Sequence, residues 1–108
     1  MNKSLKKKWI KALRSGEYVQ GRCRLVTPCK DYDKFCCLAV LADAMGVEFE
    51  ENQYGGLVIA GTRHNSTLPN SLLKKTGLSW REQAALMDLN DNERQNFNQI
   101  ADWIDENL

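Results

Sequence analysis

The chain has 108 residues, 43% of them hydrophobic and 27% charged, proportions that support a core of its own and argue against a disordered chain. Fifteen basic and fourteen acidic side chains leave a net charge of +1, short of the clearly basic balance of a dedicated nucleic-acid module. No apolar run approaches the roughly 20 residues of a membrane span. The lysine-rich N-terminus is not followed by an apolar stretch of signal-peptide type, so a cytoplasmic protein is expected, with its four cysteines as reduced thiols.

The first predicted element is a helix from Ser4, a plausible N-cap, to about Ser15. Leu5, Trp9, Ile10 and Leu13 form one apolar stripe, and Gly16 is a natural stop. Tyr18 to Leu25 reads as an irregular extended segment that ends at Thr27-Pro28, because Pro28 has no amide to donate and restrains the residue before it. A polar loop is expected over Lys30 to Lys34. The apolar run from Phe35 to Met45 has the length and alanine content of a buried helix, ended by Gly46.

Val47 to Glu51 alternates apolar and acidic residues, and Leu57 to Ala60 is an apolar run beyond the Gly55-Gly56 turn signal. Together they predict a β-hairpin over 47–60. An isolated hairpin is marginal, so it needs a helix beneath it or a third strand, for which 18–25 is a candidate. Gly61 to Thr67 is expected as a polar loop. Pro69 suits the first turn of a short helix to Lys75, stopped by Gly77. Ser79 and Glu82 fit a capping box opening a helix to about Leu89, and Asn90-Asp91-Asn92 reads as a turn. The last helix carries Phe97, Ile100, Ala101, Ile104 and Leu108 on one stripe, at offsets of 3, 4, 7 and 11, which makes it the clearest amphipathic signal in the chain. With no repeat, low-complexity stretch or linker, the expectation is one globular domain over 1–108. Its class is α+β, with four to five helices packed on a small antiparallel hairpin or three-stranded sheet.

Charge is unevenly placed. Residues 1–30 hold nine basic side chains and one acid, and residues 82–108 hold seven acids and one base. Lys7, Lys8, Lys11 and Arg14 offer a basic helix face that could meet nucleic acid, the less favoured reading. Otherwise the basic and acidic ends attract each other, within one chain or across a homodimer.

The motif set Trp9-Ile10-Lys11-Ala12-Leu13-Arg14-Ser15-Gly16, Tyr18-Val19-Gln20-Gly21, Phe35-Cys36-Cys37-Leu38, Leu68-Pro69, Leu89-Asn90-Asp91 and Phe97 with Ile100-Ala101 resembles a family of small proteins of unknown function from bacteriophages and bacterial mobile elements. That family usually has glycine where this chain has Ala39. The resemblance implies a phage-type accessory protein working in the cytoplasm of a bacterial host cell. It brings no activity with it.

Candidate chemistry is sparse. Cys23, Cys29, Cys36 and Cys37 lack the paired C-x₂₋₄-C spacing of a structural zinc site, and no metal or other cofactor is expected. A thiol nucleophile at Cys36 would have to use His64, the single histidine. Asp88 to Glu93 fails as a calcium loop because Glu93 stands where that loop needs glycine. No phosphate-binding glycine loop is present, so no catalytic residue is assigned. The segment Tyr18, Gln20, Gly21, Arg22 and Arg24 is the candidate ligand- or partner-binding site. On an extended strand its aromatic ring, amide and two guanidinium groups would share a face suited to a nucleotide or an acidic ligand. The alternative is that Tyr18 and Gln20 tie the segment to the terminal helix. By analogy with the family resemblance, the expected function is that of a non-enzymatic binding protein that engages a host protein and blocks it. A nucleotide-binding or nucleotide-sequestering module is the second reading, and weak nucleic-acid binding through the first helix is the third.

Overall fold

A computed structural model describes residues 1–108. The order is α1 (Lys3–Arg14), β1 (Val19–Gln20), β2 (Val26–Pro28), β3 (Asp33–Phe35), α2 (Cys37–Ala44), β4 (Phe49–Glu51), β5 (Leu57–Ile59), α3 (Asn70–Thr76), α4 (Trp80–Asp91) and α5 (Phe97–Asn107). Five helices thus pack with a three-stranded sheet and a two-stranded hairpin, an α+β fold. No helix is long and apolar enough to cross a membrane.

α1 starts one residue before Ser4. Its cap is Asn2, whose Oδ1 accepts the Leu5 amide at 3.0 Å, so the capping role assigned to Ser4 belongs to Asn2. Trp9 and Leu13 are buried on the expected stripe. The Trp9 indole is fully enclosed and donates to the Cys37 carbonyl at 2.9 Å, which pins α1 to the start of α2. In α2, all residues from Cys37 to Ala42 are buried. A helix apolar on every side must be covered on every side, and α1 and α4 supply part of that cover.

The strands correct two expectations. The predicted loop at Lys30 to Lys34 contains the start of β3, the central strand of the order β1-β3-β2. β3 pairs parallel with β1 through Val19–Lys34 and Gln20–Phe35, and antiparallel with β2 through Val26–Phe35 and Pro28–Asp33. Cys36 stays extended and caps α2, so Phe35 belongs to the sheet and not to the helix. The segment 18–25 therefore pairs within this sheet and does not add to the 47–60 hairpin. That hairpin is present as β4 and β5, with Phe49 opposite Ile59, in a sheet of its own. Beside β2, the Leu25 amide donates to the Asn65 carbonyl of the loop after β5 at 2.7 Å, and β2 lies against β5.

α3 ends at Gly77, which takes the left-handed φ of +78°. α4 carries the capping box of Ser79 and Glu82 and continues through Asp91. Asn90 is thus a fully buried helix residue and not part of a turn. α5 has its own capping box, from Asn96 and Gln99. It buries Phe97, Ile100, Ala101 and Ile104 and packs along α1. One contiguous core joins Trp9 and Leu13 of α1, α2, Ile59, Leu68, and the inner faces of α3, α4 and α5.

Candidate binding site

The predicted site does not assemble on one face. The extended stretch stops at Gln20, and Cys23 has φ +68°, a left-handed turn that breaks strand alternation before Arg24. The Tyr18 hydroxyl donates to Asp43 of α2, and the ring meets Phe35 edge-on at 5.2 Å. Gln20 turns inward and donates to Asn90 Oδ1 at 2.9 Å and to the Gln95 carbonyl at 2.8 Å. Gly21 is buried, and a Cβ there would lie 2.8 Å from Lys34 Cβ, so glycine is required by the close approach of the two strands. Arg22 is half-buried, with its Nε enclosed and unpartnered. Arg24 alone stays exposed, and it lines a cleft elsewhere. Tyr18 and Gln20 thus tie the segment down, but to α2, α4 and the α4–α5 turn.

On the basic helix, Lys7, Lys8 and Lys11 are exposed. Arg14 pairs with Asp102 of α5, and Lys6 Nζ donates to the Asp105 carbonyl at 3.2 Å. The basic and acidic ends therefore meet within one chain. The Arg14–Asp102 pair is exposed on both sides and is worth at most about 1 kcal/mol. The apolar stripes beneath it hold the two helices together.

The cysteines separate by environment. Cys23 is exposed, Cys29 is half-buried, and Cys36 and Cys37 are buried. Burial pushes the Cys36 thiol up to about 11 from its ordinary 9.0, and it pushes Cys37 well above its ordinary value. This is the direction opposite to a nucleophilic thiolate. The imidazole of His64 contacts Thr67 Oγ1 at 3.3 Å. Asp91 accepts the Cys23 amide at 3.0 Å and the Asn90 side-chain amide at 2.8 Å, so its carboxylate is committed to the fold. No three histidine, cysteine or acidic side chains gather as a metal site would require.

The structure opens a different site, between the β4–β5 turn and the loop after β5. A cavity of about 620 Å³ is lined by Asn52, Gln53, Tyr54, Val58, Thr62, Arg63 and Asn65. A second, of about 210 Å³, shares Asn52, Tyr54 and Asn65 with it and adds Arg24. Asn52 builds the turn: its Oδ1 accepts the Tyr54 amide at 2.9 Å and the Gly56 amide at 3.0 Å. Tyr54 is left 86% exposed at the rim. A Cβ on Gly56 would stand 3.5 Å from Asn52 Nδ2 and 3.8 Å from Arg24 Nη1, so the amide and the guanidinium converge over that glycine. No carboxylate lines either cavity. The chain's single ion pair is Arg14–Asp102, so neither Arg24 nor Arg63 has an acidic partner. From the sequence, Asn52, Tyr54, Arg63 and Asn65 read as turn and polar loop. An aromatic residue beside Gly55-Gly56 was the one local sign of more.

No curated protein and no solved structure matches the chain. A family model described as a domain of unknown function, DUF8296, matches residues 1–78, which run from α1 through α3 and contain every residue lining the two cavities. The chain belongs to this DUF8296 family.

Proposed function

We propose that the chain is a non-enzymatic accessory binding protein of the bacteriophage or mobile-element kind, which acts by holding an anionic ligand or surface stoichiometrically. The observation that carries this reading is the pair of uncompensated guanidinium groups, Arg24 and Arg63, on a cleft free of carboxylates and rimmed by an exposed tyrosine. Unpaired cations beside an aromatic face favour anions, and guanidinium does so with a fixed fork of donors. Burial raises the Cys36 and Cys37 thiols further above neutral, which argues against either acting as a nucleophile.

The test is native mass spectrometry of the protein expressed in and gently purified from bacterial cells. A stoichiometric adduct on the wild type that is lost in the Arg24→Ala/Arg63→Ala variant is the expected result. An adduct-free wild type, or an adduct equally retained by the double variant, overturns this assignment of the site.

A further inference from the structure

We infer that the Arg24–Tyr54–Arg63 cleft takes a mononucleotide, an inference that rests on the binding reading above and names its ligand. Three features point to the same chemistry. The cleft has two positive charges and no negative one among its lining residues, the demand a phosphate makes. Tyr54 presents a ring that is 86% exposed and anchored only through its backbone amide, on Asn52. Such a ring is a stacking platform for a base. Asn52 Nδ2 and the whole carboxamide of Asn65 make no hydrogen bond within the chain, whereas Asn52 Oδ1 and the Asn65 carbonyl are both committed to the fold. A free carboxamide offers a donor and an acceptor side by side, as a base edge requires.

The two cavities share a wall of Asn52, Tyr54 and Asn65. At about 620 Å³ the larger is an open cleft with room for a small organic ligand. In this arrangement the base lies on Tyr54 in the larger cavity, within reach of Asn65. The phosphate reaches the smaller one, where Arg24 and Asn52 converge over the bare Cα of Gly56. Arg63 supplies the second positive charge at the rim of the larger cavity.

The test is isothermal titration calorimetry of the whole chain with adenosine and guanosine 5′-monophosphates, the two free nucleosides, inorganic phosphate, and a short single-stranded oligonucleotide. One mononucleotide is expected to bind with 1:1 stoichiometry, more tightly than its nucleoside or phosphate alone. Tyr54→Ala should weaken it by about tenfold or more, and Arg24→Ala should remove the advantage of nucleotide over nucleoside. Tyr54, Arg24 and Arg63 are all exposed, so these variants should melt with the wild type. Phosphate binding as tightly as the nucleotide, an unchanged Tyr54→Ala, or an oligonucleotide far tighter than any mononucleotide overturns the inference. If no mononucleotide binds while the adduct seen by mass still depends on Arg24 and Arg63, the ligand class is wrong and the binding reading stands. If neither is seen, both fall.

Discussion

Gln20 Nε2 donates to the buried Oδ1 of Asn90 at 2.9 Å, and this contact joins the end of β1 to the last turn of α4. Asn90 is fully enclosed, and it uses every polar position it has. Its Oδ1 also accepts the Cys37 amide at 3.3 Å, and its Nδ2 donates to the Gly21 carbonyl at 2.9 Å and to Asp91 at 2.8 Å. One carboxamide therefore satisfies the first amide of α2, the backbone beside β1 and a neighbouring carboxylate.

Asn90→Leu should be among the most damaging single changes, since it leaves several buried groups without partners at about 1–3 kcal/mol each. Asn90→Asp should be comparably severe, because a carboxylate would face the Gly21 carbonyl and the Asp91 side chain. Gln20→Ala removes one bond to Asn90 and one to the Gln95 carbonyl, leaves the rest of the hub in place, and should cost about 1–2 kcal/mol. Urea unfolding midpoints give the ranking. Equal losses for Gln20→Ala and Asn90→Leu would contradict the hub role.

Gly21→Ala tests the close approach of the segment after β1 to β3. The added methyl would meet Lys34 Cβ at 2.8 Å and the Lys34 carbonyl carbon at 3.3 Å, atoms that cannot swing aside. A destabilisation of about 1–3 kcal/mol is expected. Gly56→Ala meets its neighbours at 3.5 Å or more and should leave the melting temperature nearly unchanged. The pair separates steric need for glycine from a general preference for it.

A fragment of residues 1–78 should fail to fold by itself, although it spans the whole family match. Without α4 and α5 the core loses Leu86, Leu89, Phe97, Ile100, Ala101 and Ile104, and Trp9 and Leu13 lose the helix packed along α1. Circular dichroism of the fragment should show little cooperative melting. Adding a separate 79–108 peptide is the natural rescue.

Alkaline pH should destabilise the fold through its buried thiols. Cys36 moves from 9.0 up to about 11, chiefly by burial, and Cys37 moves the same way. Tyr18 rises from 10.0 to about 12 through burial and through donating to Asp43. A folded-state pKa raised above the unfolded one gives stability that is complete below the unfolded value and lost as pH climbs through the folded value. Stability from these groups should therefore hold up to about pH 9 and fall as pH rises from there through about 11 and 12. Cys36→Ala should flatten the first part of that decline in melting temperature against pH. At neutral pH a thiol reagent should modify exposed Cys23 fast and Cys36 and Cys37 only on unfolding.

The helices were legible wherever a pattern is local. The α5 stripe, the Ser79–Glu82 box and the Gly16 and Gly77 stops each depend on residues within a turn or two of one another, and short-range geometry reads directly from spacing. The 47–60 hairpin was legible for the same reason. β3 was not, because Asp33-Lys34-Phe35 has no alternation of its own and becomes a strand only by lying between β1 and β2.

The candidate site shows the same division more sharply. The segment from Tyr18 to Arg24 looked like one binding face because an ideal strand would align it. The positive φ of Cys23 and the inward pull of Asn90 and Asp91, some seventy residues away in sequence, turn Gln20 to the interior. They leave Arg24 to the hairpin turn. The sequence by itself determined the α+β class, the helical stripes, the Ser79–Glu82 cap and the uneven placement of basic and acidic residues, since these follow from composition and local periodicity. Only the tertiary structure decided which polar groups are consumed by the fold and which stay free. Hydrogen-bond satisfaction in a core is settled by partners distant in the chain, and a cleft exists only where separate loops come together.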